Sequence, residues 1–283
     1  MASGANNQDL KASKLFDVSN YSVIVTGGGT SIGLMITQNL VTNGAKVYIT
    51  SRRKEALATV VEKYTTGPGE IVALPGDVTK KDEIHLLVNN AGIAQDDNTK
   101  YSNNKPDFKS AQSISEHLWK SDPQAWADTF ETNVTSQFFV AAGFLPLLTK
   151  SLDSTPGFSL IIINITSISR VMKGSGNGQF AYASSKAAFL YLTRMIATTF
   201  LHTKIRVNSI APNIFPSEMT AGESDENQKS DLGGQSSNPG GQPGSDTNMA
   251  ACALFLAGPA GIFLNGQIVY PDGGNLLASP ACT

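Results

Sequence analysis

The sequence predicts an α/β fold that binds a dinucleotide. Three observations predict it. A strand-length run, SVIVT at 22–26, leads straight into the glycine-rich GGGTSIG at 27–33 and then into LMITQNLVTNG. Further apolar runs follow: KVYIT at 46–50, EIVALP at 70–75, HLLVNNAG at 85–92 and SLIIINITS at 159–167. Tyr182 and Lys186 stand four residues apart in YASSK, and Ser167 ends the last of those runs fifteen residues before Tyr182.

Each element has a local reason. Strand, glycine turn and helix in that order is the context a dinucleotide fingerprint requires. After the glycines, Leu34, Ile36, Leu40 and Val41 are apolar, and Gly44 is the helix stop. Glycines let the backbone approach a pyrophosphate, and a helix amino end offers free N–H groups. Gly27, Thr30, Ser31, Ile32 and Gly33 are therefore read as the phosphate turn. The second strand ends at Ser51, Arg52 and Arg53. A chain selecting NAD usually carries Asp or Glu here, to accept from the ribose 2′-hydroxyl. A hydroxyl and two guanidinium forks suit a 2′-phosphate instead. The expected cofactor is NADP(H) rather than NAD, with Arg52 the better candidate. The alternative is that both arginines cap a strand on a solvated edge.

Helices are expected at 123–150 and 180–202. In the second, one helical turn puts the Tyr182 phenol and the Lys186 ammonium on one face. A nearby cation favours phenolate, so Lys186 is expected to lower the Tyr182 pKa from ~10 toward the range of a working acid. Ser167, at the carboxyl end of a neighbouring strand, can hydrogen-bond the same carbonyl oxygen. A Tyr-x-x-x-Lys pair by itself is more often ordinary helix surface.

Together these stretches resemble the short-chain dehydrogenase/reductases. The matching motifs are TGGGTSIG at 26–33, DV at 77–78, NNAG at 89–92 and Asn133 in ETNVTS. Ser167 in INITS, YASSK at 182–186, RVNSIAP at 206–212 and LNGQIVYPDGG at 264–274 complete them, in family order over about residues 15–277. The resemblance implies one doubly wound Rossmann-type domain over 15–283, around a mostly parallel seven-stranded sheet with helices on both faces. Residues 1–14 are expected to be a flexible lead-in. Tyr182 would donate or accept the proton at the substrate oxygen. Lys186 would lower its pKa and hold the nicotinamide ribose. Ser167 would polarise the carbonyl, and Asn133 would support a water linking Lys186 to solvent. Asn90 and Gly92 would line the adenosine and ribose side, or form a mainly structural strand-to-helix turn. Asp77 and Val78 would sit by the adenine, and Thr220 by the diphosphate or amide.

Within that family, APNIFPSEMT and FLPLLTKS look most like the β-ketoacyl reductases. The implied activity is NADP-dependent reduction of a ketone on a small 3-oxoacyl or polyketide-like molecule. The competing readings are a nucleotide-binding protein without catalysis, and a cyclase or isomerase reusing the pocket. The resemblance also implies a homodimer or homotetramer. Phe138, Phe139, Phe189, Leu190 and Leu192 would serve that contact, or equally the monomer core.

Apolar residues make up 41% of 283, enough for a sizeable core, and the net charge of −2 argues against a nucleic-acid surface. No run reaches the ~18 apolar residues of a membrane span, and the polar start lacks a signal-peptide core. Cys252 and Cys282 are read as free thiols in a reducing, cytoplasmic setting. His85, His117 and His202 are too widely spaced to suggest a metal. Residues 94–109 are expected to be a surface excursion. The polar stretch at about 221–248 is expected to be a mobile substrate loop, or else a plain insertion.

The pattern is broken in places. Ser31 stands where the family has a glycine, and Asn213 replaces the usual glycine after Pro212. Asn accepts left-handed backbone angles better than most residues, so little damage is expected there. The larger departure is the link between the third and fourth strands. Only eleven residues, PGDVTKKDEIH, separate Leu74 from Leu86. Strands three positions apart at ~4.8 Å, with a return of ~17–20 Å along the sheet, need a path of roughly 25–30 Å. Eleven residues span at most ~36–40 Å extended, and only ~16 Å as a helix. The link is therefore expected to run nearly extended, with at most one helical turn. A bare apolar patch beside the adenine, lower stability and weaker cofactor affinity are the expected consequences.

Overall fold

A computed structural model describes residues 7–74, 83–152, 160–234 and 238–279. A 3-10 turn at Asn7–Leu10 and one helical turn, α1 (Ala12–Leu15), open the described chain, so part of the expected flexible lead-in is ordered locally. Then come β1 (Ser22–Thr26), α2 (Ser31–Thr42), β2 (Lys46–Thr50), α3 (Lys54–Tyr64), β3 (Glu70–Ala73) and β4 (Leu86–Asn89). The second half holds α4 (Ala111–Leu118), α5 (Pro123–Phe130), α6 (Ser136–Lys150), β5 (Ile161–Ile165), α7 (Phe180–Thr199) and β6 (Arg206–Ile210). Last are α8 (Glu218–Ala221), α9 (Asp246–Ala257), β7 (Ile268–Val269) and α10 (Asn275–Ala278).

The seven strands form one sheet in the order β3-β2-β1-β4-β5-β6-β7, with every pairing parallel. Strand order reverses between β1 and β4. In open sheets of this kind ligands bind in the crevice beyond the strand carboxyl ends at that reversal. Strand side chains alternate between the two faces. Val23, Val25, Val47, Ile49, Val88 and Ile163 join α2, α3 and α9 in one buried cluster. Ile24, Leu87, Ile162 and Val207 join α6 and α7 in the other. Strands buried on both faces read as unbroken apolar runs, which is why SLIIINI has no alternation.

The helix expected at 123–150 is one helical run. Asp122 caps its start by accepting from the Gln124 N–H, and a π-helical turn at Glu131–Thr135 lies between α5 and α6. Such turns favour functional positions because the widened ring re-aims a side chain; here it carries the fully buried Asn133. The helix expected at 180–202 ends at Thr199 and continues as a 3-10 turn at Leu201–Thr203.

The short link does not disturb the strand order: β3 pairs with β2, and β4 with β1. The path expected for the link falls mostly on residues 75–82, which lie outside the described residues. The expected bare patch is largely absent. On the face concerned, Ile24 and Tyr48 are 1% and 6% exposed, and only Val72 and Leu74 at the edge are half-buried. Ile24 and Tyr48 are buried members of the second core cluster, and Val72 and Leu74 pack against its edge. The Lys46 ammonium also stands 5.8 Å from the Tyr48 ring centre. The excursion at 94–109 is not all surface either, since Asp96 and Thr99 are buried.

Candidate active site

The crevice at the reversal is a cleft of about 1070 Å³. Its walls bring together residues expected from five separate stretches: Gly27, Thr30, Ser31 and Ile32; Ser51, Arg52 and Arg53; Asn90 and Gly92; Ser167; and Tyr182 and Lys186. Thr220 lines it as well. Gly33 and Asn133 stand behind the wall, and Asp77 and Val78 lie outside the described residues. A second hollow of about 760 Å³, between α1 and α9, is lined by Phe16, Leu254 and Phe255 and carries no acid–base pair.

The glycine turn is built by close approach. Gly27 has φ +66°, and a Cβ on Gly33 would stand 2.1 Å from the Gly27 carbonyl oxygen. Asn90 braces the turn from β4, its Nδ2 donating to the Thr26 carbonyl at 2.9 Å and to that of Gly27 at 3.2 Å. Thr26 Oγ1 accepts in return from the N–H groups of Asn90 and Ala91. Asn90 thus serves the turn's architecture, with its edge on the cleft. Ser31 takes φ +54°, so it adopts the left-handed backbone of the glycine it replaces, at a strain of roughly 1–2 kcal/mol. Its Oγ accepts from the Glu218 N–H at 3.2 Å. Asn213 does not share this behaviour: its φ is not positive, and its N–H and Nδ2 donate to the carbonyls of Pro271 and Asp272. Backbone freedom is not needed there.

Ser167 follows β5, and its Oγ accepts from the Ser169 N–H. It also lies near enough to the Tyr182 phenol to hold the phenol's pKa down somewhat. Lys186 is buried and its Nζ donates to the Ile165 carbonyl at 3.0 Å, with the Tyr182 ring centre 5.8 Å away. Asn133 is held on both sides. It exchanges hydrogen bonds with the backbone of Ile93, both at 2.8 Å, and donates to Ser185 Oγ at 3.0 Å. Ser185 in turn donates to the Tyr182 carbonyl. A Cβ on Gly92 would stand 3.2 Å from Asn133 Oδ1 and 3.3 Å from Lys186 Nζ, so glycine keeps that corner open.

One electrostatic expectation is overturned. Burial raises the Tyr182 pKa, and the Ser167 side chain only partly offsets this. Burial also lowers the Lys186 ammonium to about 8. Desolvation disfavours both charged forms. The phenol is therefore neutral and holds its proton near neutral pH.

Three residues at the site escaped the sequence reading. Asp96 Oδ1 accepts from the Ala181 N–H at 2.9 Å and Oδ2 from the Tyr182 N–H at 3.0 Å, which caps the helix carrying Tyr182 and Lys186. Glu218 forms a bidentate ion pair with Arg53 across the cleft. Ser185 joins Asn133 to the Tyr182 turn. Thr220 is occupied within its own turn, its Oγ1 accepting from the Ser217 N–H. Arg52 makes no ion pair or hydrogen bond among the described residues. The described parts of the loop at 221–248 are tied down. Tyr64 donates to the Asn227 carbonyl, Lys63 to Asn227 Oδ1, and Lys229 to Gln38 and Asp246. Among the described residues no cluster of metal-ligating side chains occurs, and no helix is long and apolar enough to cross a membrane.

The site fits a dinucleotide. A glycine cradle that a Cβ would fill, the free amino end of α2 and a cation at the end of β2 share one cleft. A family profile described as enoyl-(acyl carrier protein) reductase matches residues 27–275. The chain is 37% identical to the short-chain dehydrogenase/reductase PhomF of Diaporthe leptostromiformis, over 96% of this chain and 97% of that one. It is 32% identical to the rhamnolipids biosynthesis 3-oxoacyl-[acyl-carrier-protein] reductase of Pseudomonas aeruginosa, over 92% and 97%. Among solved structures, the Pseudomonas aeruginosa RhlG/NADP active-site complex superposes with a TM-score of 0.74 at 30% identity, covering 92% of this chain and 98% of that one. Fold, cleft and relatives agree: the chain belongs to the short-chain dehydrogenase/reductase family of nicotinamide-dependent oxidoreductases.

Proposed function

We propose that this chain is an NADP(H)-dependent reductase that turns a ketone, 3-oxoacyl or polyketide-like, into an alcohol, with Tyr182 as the acid. The observation that carries the reading is the meeting of Ser167, Tyr182 and Lys186 in the cleft that also holds the glycine turn and Arg52. When bound, the reduced nicotinamide supplies the hydride. The chain supplies the rest. Ser167 and Tyr182 donate hydrogen bonds to the carbonyl oxygen as it gains charge, and the neutral phenol gives up its proton there. Lys186, with a pKa of about 8, exchanges protons near neutral pH and restores the phenol. Asn133 keeps one Oδ1 lone pair for a water beside Lys186. The 2′-phosphate would be met by Arg52 and Ser51. The tied segment after β6 would close over the substrate.

Support for the substrate class comes from the Pseudomonas relative named as a 3-oxoacyl-[acyl-carrier-protein] reductase, and support for NADP from the RhlG/NADP complex. Phe138 and Phe139 are 44% and 66% exposed while Phe189 and Leu190 are buried. The first pair, with exposed Tyr191, would cover itself against a second copy of a cytoplasmic homodimer or homotetramer. The test is a titration of NADPH against NADH, followed by turnover on a panel of ketones that includes an enoyl thioester. Tyr182→Phe is expected to lower kcat at least ~100-fold with cofactor affinity retained. Unchanged turnover in that variant removes Tyr182 as the acid, and NADPH binding without turnover on any carbonyl favours the non-catalytic reading.

A further inference from the structure

The cofactor side of the cleft holds a carboxylate that the reading above does not use. Glu218, the first residue of α8, lies there with Ser51, Arg52 and Arg53. Its Oε2 accepts from Arg53 Nη2 at 2.7 Å and its Oε1 from Arg53 Nη1 at 2.9 Å. The same Nη2 donates to Thr30 Oγ1 at 3.3 Å, and the Glu218 N–H donates to Ser31 Oγ at 3.2 Å. The root of the polar segment after β6 is thus fastened to the phosphate turn at two points. The Arg53 hydrogen bond holds the Glu218 carboxyl below its ordinary pKa, so it is anionic at neutral pH.

A 2′-phosphate entering beside Ser51 and Arg52 meets this carboxylate. The two anions repel, and the Nη1–Nη2 edge of the guanidinium, which Glu218 holds, serves only one of them at a time. Resting on the NADP(H) reading, we propose that Glu218 is a specificity-determining residue. Its carboxylate competes with the cofactor's 2′-phosphate for the Arg53 guanidinium. A phosphorylated cofactor therefore removes the Arg53 tie between α8 and the phosphate turn and leaves only the Ser31 one, and an unphosphorylated cofactor leaves both. Cofactor identity is then read twice, once as affinity and once as the freedom of the segment that follows α8.

Glu218→Gln tests this in the full-length chain. The amide keeps the shape and removes the charge, and the Ser217–Thr220 capping box that starts α8 is untouched. Kd values for NADPH and NADH are measured for both proteins. Backbone hydrogen exchange over residues 218–230 of the wild type is followed with 2′-phospho-ADP-ribose and with ADP-ribose. The variant is expected to tighten NADPH about two- to fivefold, the scale of one partly exposed charge pair, and NADH by less than that. Exchange is expected to rise with the phosphorylated ligand alone. If the wild type prefers NADPH but the variant shifts both cofactors alike, the competition is overturned and the cofactor reading stands. Exchange that ignores the 2′-phosphate has the same meaning. A wild type that prefers NADH overturns the cofactor reading and the competition with it.

Discussion

Replacing Asp96 with alanine removes the acceptor that starts the helix of Tyr182 and Lys186. The first four N–H groups of a helix have no partner inside it, and Gln179, at the N-cap position of α7, makes no side-chain cap. Asp96 supplies what is missing from 85 residues away, taking the N–H groups of Ala181 and Tyr182 at 2.9 and 3.0 Å. A hydrogen bond to a charged group is worth ~1.5–3 kcal/mol, and an anion at a helix amino end adds ~0.3–1 kcal/mol. Desolvating the carboxylate, which is 6% exposed, takes part of this back. The net loss in Asp96→Ala is about 2–4 kcal/mol, which for a chain of this size lowers Tm by roughly 5–15 °C. Asp96→Asn keeps one acceptor and turns an N–H group against the other donor, so it should fall between the two. Urea unfolding followed by fluorescence, with kcat measured alongside, gives the answer. An alanine variant within about 0.5 kcal/mol of wild type would falsify the capping argument.

Gly33→Ala puts a Cβ 2.1 Å from the Gly27 carbonyl oxygen and 2.5 Å from Asn90 Nδ2. The turn cannot close, and NADPH affinity by fluorescence titration should drop at least ~100-fold. Gly92→Ala crowds Asn133 Oδ1 and Lys186 Nζ at 3.2 and 3.3 Å. It is expected to lower kcat about tenfold while moving stability less than ~1 kcal/mol; the reverse pattern would place Gly92 in the fold rather than the site. Lys186 predicts a pH dependence in the ligand-free protein. Its pKa falls from 10.5 to about 8 on folding, so between those values the unfolded chain holds more protons and stability rises with pH, by up to roughly 3 kcal/mol. Tyr182, raised by burial, acts in the opposite sense above pH ~10. The slope is best read from urea midpoints between about pH 8 and 9.5. Lys186→Met should be more stable at pH 7 and lose the slope, and a wild type flat over that window would contradict the burial of the ammonium.

Much of this was legible in the sequence because local rules agree with the tertiary outcome. SVIVT, KVYIT and SLIIINI form strands because both sheet faces bury them. The helices at 123–150 and 180–202 appear where expected. The four side chains with assigned chemistry lie on or beside regular elements, where periodicity places them. What escaped depends on long-range contact. Asp96 sits in a polar stretch with no local signal, and its role exists only because α7 begins beside it. Glu218 reads as one acid among several until Arg53 is seen 2.7 Å away. The phenol–ammonium argument failed in sign because spacing shows which groups are neighbours but not how much water they keep. The short link misled in a similar way. Path length bears on the connection alone, and the burial of Ile24 and Tyr48 was not visible in the chain.

Ser167 and the carbonyl that receives Lys186 belong to residues 167 and 165, at the end of β5 in the middle of the sheet. The cleft wall beyond that centre comes from another stretch, with Pro212, Asn213, Phe215 and Met219. A descendant could trade one covering loop for another and inherit a proton-delivery centre already assembled, so that new appetites need no reinvention of the machinery beneath.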